Sequence, residues 1–218
     1  MATFSTLDFG IEAGVARITL NRPDSANGIS MQLAQELLQA SLACRCSPQV
    51  RAVLLTGKGR MFCAGGDLNS FVENAANLEG FIKELTTYLH AAIANFAHMR
   101  APLVSAVNGA AAGAGFSLAA CGDLVLAARS AKFSMAYTGA GLVPDGSGSY
   151  FLPRIVGLRR AQELILTNRR LSAEEALEMK IVNRILPPAE VLDYAVRQAE
   201  RFNRLPPASV RETKRLMK

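Results

Sequence analysis

The stretch LVSAVNGAAAGAGFSLAA, residues 103–120, decides the fold class of this chain. Residues 103–107 are apolar enough for a strand buried on both faces, and residues 113–120 have the composition of a short buried helix. Outward from this stretch, apolar strands and amphipathic helices continue to alternate. The predicted strands are 15–20, 50–56, 103–107 and 124–127, and the predicted helices are 31–44, 81–99, 113–120, 158–167, 173–179 and 189–202. Such alternation predicts an α/β fold with largely parallel strands and right-handed crossovers.

The region around this stretch, residues 101–122, carries no charged side chain and is long enough to suggest a membrane span of about 20 residues. Pro102, Asn108 and several glycines interrupt it, however, and much of the remainder is alanine, which gains little from lipid. Met1–Gly10 has neither the basic cluster nor the apolar run of a secretion signal. We therefore expect a cytoplasmic protein that does not enter the membrane.

The length and composition favour one globular domain over residues 1–218, because 50% of the residues are hydrophobic and 19% are charged. The formal net charge of +6 comes from the last third: residues 1–153 carry 10 basic and 10 acidic side chains, and residues 154–218 carry 14 and 8. Basic and acidic residues are interleaved there, which indicates solvated helix surfaces and does not favour nucleic-acid binding. Cys44 and Cys46 form the only close pair among four cysteines, so we predict free thiols and no metal site.

Two segments place small residues after a predicted strand. FCAGGD, residues 62–67, follows the strand at 50–56. NGAAAGAG, residues 108–115, follows the strand at 103–107. Small side chains let a ligand approach the main chain, and the first turn of a helix offers free N–H groups. Two such amides aimed at one point would form an oxyanion hole for a carbonyl oxygen that becomes negative during reaction. Tight packing of helix against strand needs the same residues, and the spacing alone leaves both interpretations open.

Five motifs follow one another along the chain: Leu20-Asn21-Arg22-Pro23 with Asn27, Phe62-Cys63-Ala64-Gly65-Gly66-Asp67-Leu68, Val107-Asn108-Gly109 through Gly115, Ala131-Lys132-Phe133, and Gly141-Leu142-Val143-Pro144-Asp145. In this order they resemble the motifs of the crotonase superfamily, the enoyl-CoA hydratases and isomerases. The resemblance implies a spiral of ββα units and assembly as a homotrimer or hexamer. It also implies an acyl-CoA thioester substrate and no separate cofactor, since coenzyme A is part of the substrate.

The resemblance assigns roles to residues of the two small-residue segments. In the family, donors that match the backbone N–H groups of Gly66 and Ala114 hold the thioester oxygen. Coenzyme A is expected along the segment after the first strand and along the Gly66 loop. Its expected contacts are Arg22, Ala26, Ala64 and Gly66.

The resemblance also divides the domain into a spiral core, about 1–190, and the start of a C-terminal helical trimerisation region, about 190–218. Related chains continue beyond a point like Lys218. We therefore expect the helical region of this chain to be truncated. Asp67 is expected to brace its loop and to take no part in the reaction.

The choice of reaction depends on the side chains that face the hole. Hydratases of this family use two glutamates, and the resemblance puts Ser117 and Tyr137 at those positions. Neither hydroxyl can act as a carboxylate base near neutral pH, which disfavours water addition. Asp145, in Gly-Leu-Val-Pro-Asp, looks like the catalytic aspartate of double-bond isomerases, and apolar residues on both sides of it would make it a stronger base. We therefore predict isomerisation through an enolate, with Asp145 as acid and base.

The alternatives to this isomerase are a hydratase with non-standard residues, an aryl-CoA dehalogenase-like hydrolase and an acyl-CoA-binding protein with impaired catalysis. His90 bears on the second of these. The related 4-chlorobenzoyl-CoA dehalogenases pair a nucleophilic aspartate with a histidine on this helix, but they carry Trp where this chain has Tyr137. A lone helical histidine is often structural, and an aspartate in Pro-Asp-Gly can simply form a turn. His90, Tyr137 and Ser117 are thus candidate accessory residues.

Overall fold

The structure is a computed structural model that describes residues 4–217. Met1–Thr3 and Lys218, which belong to the predicted domain 1–218, lie outside the described residues. The strands are β1 (Leu7–Glu12), β2 (Val15–Leu20), β3 (Ala52–Gly57), β4 (Met61–Cys63), β5 (Leu103–Val107), β6 (Ala110–Ala112), β7 (Leu124–Ala128), β8 (Lys132–Ser134), β9 (Leu171–Ser172) and β10 (Arg184–Leu186). The helices are α1 (Met31–Cys46), α2 (Leu68–Glu73), α3 (Leu78–His98), α4 (Ala114–Ala120), α5 (Gly148–Val156), α6 (Leu158–Thr167), α7 (Ala173–Glu178), α8 (Val191–Arg201) and α9 (Pro207–Met217).

The strands form two sheets, and each of three consecutive strand pairs contributes one strand to each sheet. The larger sheet has the order β1-β2-β3-β5-β7-β10, and the smaller has the order β4-β6-β8-β9. The pairs β3–β4, β5–β6 and β7–β8 each step from the larger sheet to the smaller one, and a helix follows before the next pair begins. This arrangement confirms the expected spiral of ββα units. Pairing is parallel throughout except where β1 meets β2 and β8 meets β9.

The mostly apolar sequence of β3 is explained by burial on both faces of the sheet. Val53 and Leu55 point into the main core, where α1 and α3 pack against each other. Ala52 and Leu54 point to the opposite face, because side chains alternate along a strand. A second apolar cluster lies on that face and is completed by α8. The first helix of the predicted C-terminal region is therefore packed directly on the spiral core.

Two of the long helices begin or pack as the sequence predicts. Ser30 caps α1 by accepting a hydrogen bond from Leu33 N at 3.3 Å, which satisfies one of the free amides of its first turn. The apolar stripe of α3 faces the main core. Although α3 has 21 residues, neither it nor another helix among residues 4–217 has the length and apolar content to cross a membrane.

The last helix, α9, is fixed to the sheet by a buried lysine. Lys214 Nζ donates to the carbonyl oxygens of Phe96 and Ala101 at 2.8 and 2.9 Å. It also lies 2.7 Å from Asp123 Oδ2, which accepts from Leu103 N as well. The C-terminal part of the described chain is thereby held against the loops before β5 and β7.

Candidate active site

The two small-residue segments meet in the folded protein. The first segment includes the end of β4 and the second includes all of β6, and these strands are parallel neighbours in the smaller sheet. Gly65 has a φ of +96° and lies against the second segment: a Cβ atom there would be 2.8 Å from Ala112 O and 3.3 Å from Ala114 N. Only glycine permits both this backbone conformation and this approach. The sequence signal of small residues thus reflects close contact between the two loops.

The amides of Gly66 and Ala114 remain available for a ligand. The residues around Gly66 are held by Ile29, which donates to Gly65 O at 2.7 Å and accepts from Asp67 N at 3.1 Å. Ala114 is the first residue of α4, where helical N–H groups have no partner within the helix. Neither the Gly66 nor the Ala114 N–H donates to an acceptor within residues 4–217. Both residues line one cavity of about 320 Å³.

Two buried or partly buried asparagines fix the loops that lead to this cavity. Asn27 accepts from Arg22 N and donates to Lys58 O and Met61 O at 3.0 and 2.8 Å. Asn108 accepts from Gly57 N at 3.1 Å and donates to Gly59 O, in the loop after β3, at 2.9 Å. These side chains replace the hydrogen bonds that the loop backbone lacks. Their motif positions therefore serve the shape of the site.

Arg22, a predicted coenzyme A contact, is already occupied. Its guanidinium lies 2.8 Å from Asp67 Oδ2 and also donates to Gly28 O. Asp67 in turn caps α2 by accepting from Asn69 N at 3.1 Å. Burial alone would raise the pKa of Asp67, but the hydrogen bond and charge of Arg22 outweigh burial and hold the pKa below its usual value. The expectation that Asp67 braces the loop agrees with this geometry.

The four predicted coenzyme A contacts divide into two groups. Ala64 and Gly66 line the cavity, whereas Ala26 and Arg22 do not. Ala26 lies behind Ala64 and accepts a hydrogen bond from its amide at 3.0 Å. The segment after β2 reaches the cavity instead through Ser25 and Gly28.

Asp145 is surrounded by the three predicted accessory residues. Tyr137 Oη donates to Asp145 Oδ1 at 2.6 Å, and Ser117 Oγ lies 3.0 Å from the same phenol oxygen. His90 Nε2 lies 3.4 Å from Asp145 Oδ2. Tyr137 also lines the cavity, so it connects Asp145 to the space in front of the two free amides. Four residues that are far apart in sequence thus form one cluster.

His90 has two competing partners at one nitrogen. Its Nε2 lies 3.2 Å from Gly146 N and 3.4 Å from Asp145 Oδ2. Accepting from the Gly146 N–H requires a lone pair on Nε2, whereas donating to Asp145 requires a proton there. The two contacts cannot both be hydrogen bonds, and the presence or absence of a proton on Nε2 decides which one forms.

The setting of Asp145 differs from the apolar one that its sequence neighbours predict. Val143 is 79% exposed and Tyr150 is 41% exposed, so neither covers the carboxylate. The Asp145 side chain is 21% exposed, and its closest partners are polar. The expectation of an apolar surrounding was wrong because the segment after Asp145 turns sharply into α5, with Gly148 N donating to Asp145 O at 2.8 Å.

One contributor to the site gave no usable signal in the sequence. Phe71 lies on α2 and lines the cavity, and a Cβ atom at Gly66 would lie 2.7 Å from its ring. Its ring packs edge-on against Phe81 of α3 at a centroid distance of 6.2 Å. The helix that carries Phe71 has only six residues, which is too short for a periodic pattern.

The spiral fold and this pair of free amides define the class of the protein. The chain belongs to the enoyl-CoA hydratase/isomerase family, whose model matches residues 10–218. A solved structure from Pseudomonas aeruginosa is 36% identical and superposes with a TM-score of 0.91, covering 100% of this chain and 92% of that one.

Relatives of similar identity carry names of different reactions. A Rhodobacter capsulatus protein named as an enoyl-CoA hydratase is 37% identical over 98% of this chain and 81% of its own length. The 1,2-epoxyphenylacetyl-CoA isomerase of Escherichia coli is 38% identical over 85% of this chain and 71% of its own length. The 4-chlorobenzoyl coenzyme A dehalogenase-2 of an Arthrobacter species is 39% identical over 81% and 64%. Overall similarity therefore does not choose among these reactions, and the site residues must.

Proposed function

We propose that this protein moves the double bond of an enoyl-CoA thioester from C3=C4 to C2=C3, with Asp145 as the proton carrier. One observation carries the proposal: Asp145 accepts a hydrogen bond from Tyr137, which lines the cavity, and no Lys or Arg among residues 4–217 pairs with its carboxylate. Asp67, the other carboxylate near the amides, is held by Arg22 and by α2. The family resemblance puts Ser117 and Tyr137 at the two positions where hydratases carry glutamates, and neither side chain can replace a carboxylate base.

The proposed reaction needs one carboxylate and two amides. The thioester oxygen accepts hydrogen bonds from Gly66 N–H and Ala114 N–H. Asp145 removes a proton from C2, and the electron pair of that C–H bond moves into the carbon framework and onto the thioester oxygen as an enolate. The carboxylic acid of Asp145 then returns the same proton to C4 while the double bond forms between C2 and C3. Amides already fixed in place stabilise the enolate without reorganisation. No cofactor is required beyond the coenzyme A of the substrate.

Asp145→Asn tests the proposal directly. The variant keeps the shape of the side chain and an oxygen that can accept from Tyr137, but it cannot take a proton. We expect isomerisation of a 3-enoyl-CoA, followed spectrophotometrically, to fall by at least about 10²-fold, the lower end of the range for loss of acid–base catalysis. Hydration of a 2-enoyl-CoA should be slow in both proteins. Undiminished isomerisation in a folded Asn variant would refute the role of Asp145.

The contact between His90 and Asp145 favours a second candidate, nucleophilic displacement on an aryl-CoA. In this reaction Asp145 would attack the ring carbon and release halide, and His90 would then activate water to hydrolyse the aryl ester. The dehalogenase among the relatives motivates a test with 4-chlorobenzoyl-CoA. Single-turnover burst kinetics with a covalent adduct on Asp145 would support this candidate. His90→Gln should then accumulate the adduct, whereas it should leave 3-enoyl-CoA isomerisation within a few-fold of wild type if isomerisation is the reaction.

A further inference from the structure

A chain of two hydrogen bonds joins Ser117, Tyr137 and Asp145. Both of its donors point towards Asp145. An ionised carboxylate can only accept hydrogen bonds, so the hydroxyl hydrogen of Tyr137 is directed to Asp145 Oδ1, 2.6 Å away. The serine hydroxyl, 3.0 Å from the phenol oxygen, must then donate to it. The series therefore ends on one particular oxygen of Asp145.

The hydroxyl of Tyr137 is fixed by burial and by the packing of Ser117 against α5. Ser117 and Tyr137 are both buried. The start of α5 packs directly on Ser117: a Cβ atom at Gly148 would lie 2.5 Å from Ser117 Oγ. Burial raises the pKa of Tyr137, and the nearby negative charge of Asp145 raises it further. Tyr137 is thus a neutral phenol, and a donor, throughout the neutral pH range.

We propose that Tyr137 is a positioning residue that occupies Oδ1 of Asp145 and leaves Oδ2 as the oxygen that exchanges protons with the substrate. The inference rests on the proposed isomerisation, and it specifies how the carboxylate of that reaction is oriented. The terminal torsion of an aspartate is broad and nearly two-fold, so a carboxylate without a fixed donor can present either oxygen. One short hydrogen bond removes this freedom and holds the base in a reactive orientation.

The contacts of Oδ2 agree with this assignment. Oδ2 faces His90 Nε2 at 3.4 Å, which is longer than an ordinary N–H···O hydrogen bond. Gly146 N is closer to the same nitrogen, at 3.2 Å, and a neutral His90 that accepts from Gly146 has no proton at Nε2 to give. Within residues 4–217, the titratable groups at hydrogen-bond or ion-pair distance from Asp145 are His90 and Tyr137. When Nε2 accepts from Gly146, Oδ2 has no donor among these groups and is free to accept a proton.

Tyr137→Phe removes the donor and keeps the ring. We expect kcat for 3-enoyl-CoA isomerisation to fall about tenfold or more, with KM changed less than about threefold, because the loss is of orientation and not of substrate contact. The acid limb of the kcat/KM–pH profile should move to higher pH, since the ionised carboxylate loses a donor that favours it. Tyr194→Phe, which changes a tyrosine of α8 away from the cavity, is the matched control and should change neither quantity.

Ser117→Ala gives a second route if Tyr137→Phe does not fold. It removes the donor to the phenol oxygen and leaves the Tyr137–Asp145 hydrogen bond possible. We expect both effects in the same direction and smaller, with kcat lowered about threefold. An unchanged pH profile in folded Ser117→Ala and Tyr137→Phe proteins would overturn the inference.

An NMR measurement without substrate tests the Tyr137–Asp145 hydrogen bond separately from the isomerase reaction. In protein labelled with 13C at tyrosine Cζ, the Tyr137 signal is assigned by its loss in Tyr137→Phe. At neutral pH, Asp145→Asn should shift the Tyr137 Cζ signal, because the phenol then donates to a neutral amide oxygen in place of a carboxylate, and the Tyr194 signal should not move. An unchanged Tyr137 signal would mean that the phenol does not sense Asp145, and the inference would be wrong.

The two sets of experiments can fail independently. If Asp145→Asn abolishes isomerisation while Tyr137→Phe leaves kcat and its pH profile unchanged, the proposed function stands and the positioning role falls. If Asp145→Asn keeps full isomerisation, both fall, whatever the tyrosine signal shows. Loss of activity in Asp145→Asn, a shifted acid limb in Tyr137→Phe and a shifted Tyr137 signal in Asp145→Asn together support the inference.

Discussion

Arg22 Nη2 lies 2.8 Å from Asp67 Oδ2, and this ion pair joins the turn after β2 to the start of α2. Both side chains are largely buried, and the segment that carries Asp67 also carries the free amide of Gly66. A residue that the family resemblance assigned to coenzyme A is therefore used to hold the loop on which the proposed carbonyl site depends.

Replacing this arginine should destabilise the loop more than it weakens substrate binding. Arg22→Met leaves Asp67 without its charged donor, and we expect a loss of about 1–3 kcal/mol in the free energy of unfolding. Arg129→Met, which breaks an exposed pair with Glu174, is the control and should stay close to wild type in urea unfolding. Unchanged stability together with a large rise in KM for acyl-CoA would restore the coenzyme A role of Arg22.

The contribution of the Ala114 amide can be removed almost alone. Ala114 is the first residue of α4, a position at which proline is tolerated because its N–H has no partner within the helix. Ala114→Pro should lower kcat by about 10²–10³-fold, as loss of one oxyanion donor does, with little change in thermal unfolding. Ala114→Gly keeps the N–H and should retain most of the activity. Equal kcat in the two variants would contradict an oxyanion role for this amide.

The buried Lys214 should be important for the attachment of α9. Lys214→Met removes hydrogen bonds to two carbonyl oxygens and the ion pair with Asp123, and we expect a loss of about 3 kcal/mol in the free energy of unfolding. Arg215→Met changes a neighbouring exposed residue of the same helix and serves as the control in urea unfolding. If both variants unfold at the same urea concentration, the buried Lys214 contributes no more to the free energy of unfolding than the exposed Arg215 does.

Acid should weaken the attachment of the N-terminal segment to α1. Glu36 accepts from the amides of Ser5 and Thr6 at 3.0 and 2.9 Å and from Thr6 Oγ1 at 2.6 Å. Burial alone would raise the pKa of Glu36, but the hydrogen bonds from Thr6 and Ser5, with one from Gln32, outweigh it and lower the pKa below its usual value. The stabilisation is therefore complete above the unfolded pKa of about 4.3 and is lost as pH falls through the lower folded value.

Urea unfolding of wild type and Glu36→Gln between pH 7 and pH 3 checks this sign. We expect Glu36→Gln to be the less stable protein at pH 7, because its amide cannot accept from both Ser5 and Thr6. The difference should shrink below about pH 4, where the wild-type carboxylate becomes protonated. A difference that grows as the pH falls would show that the sign is wrong.

The sequence predicted those parts of the fold that have a clear period or a long apolar run. The strands at 15–20 and 103–107 and the helix at 158–167 have the predicted bounds, and the other predicted elements differ by a few residues at their ends. The strands of the smaller sheet have two or three residues each, too few for any periodicity. α5 was missed because it begins within Gly146-Ser147-Gly148-Ser149 and contains Pro153, both of which normally argue against a helix.

The site was predictable where it depends on the backbone and only partly where it depends on tertiary contacts. Small residues after two strands were enough to indicate close approach of two loops. The contact of Asp145 with His90 joins residues 55 positions apart, and no local pattern encodes that distance. The family resemblance named His90, Tyr137 and Ser117 as candidates, but only the fold relates their atoms to one carboxylate. The ion pair of Arg22 with Asp67 had no signal in the sequence, because a cation near a substrate segment can equally serve a neighbouring aspartate.

The adjacency of β3 and β5, with Val53 opposite Leu103, has a consequence for how such a protein can change its reaction. Their continuations β4 and β6 also pair, and this pairing brings the loops that carry the two amides side by side. Asp145 belongs to a loop that lies beyond β8 and outside this pairing. Substitutions between β8 and α5 can therefore exchange one acid, base or nucleophile for another, while the strand pairing behind the two free amides stays unchanged.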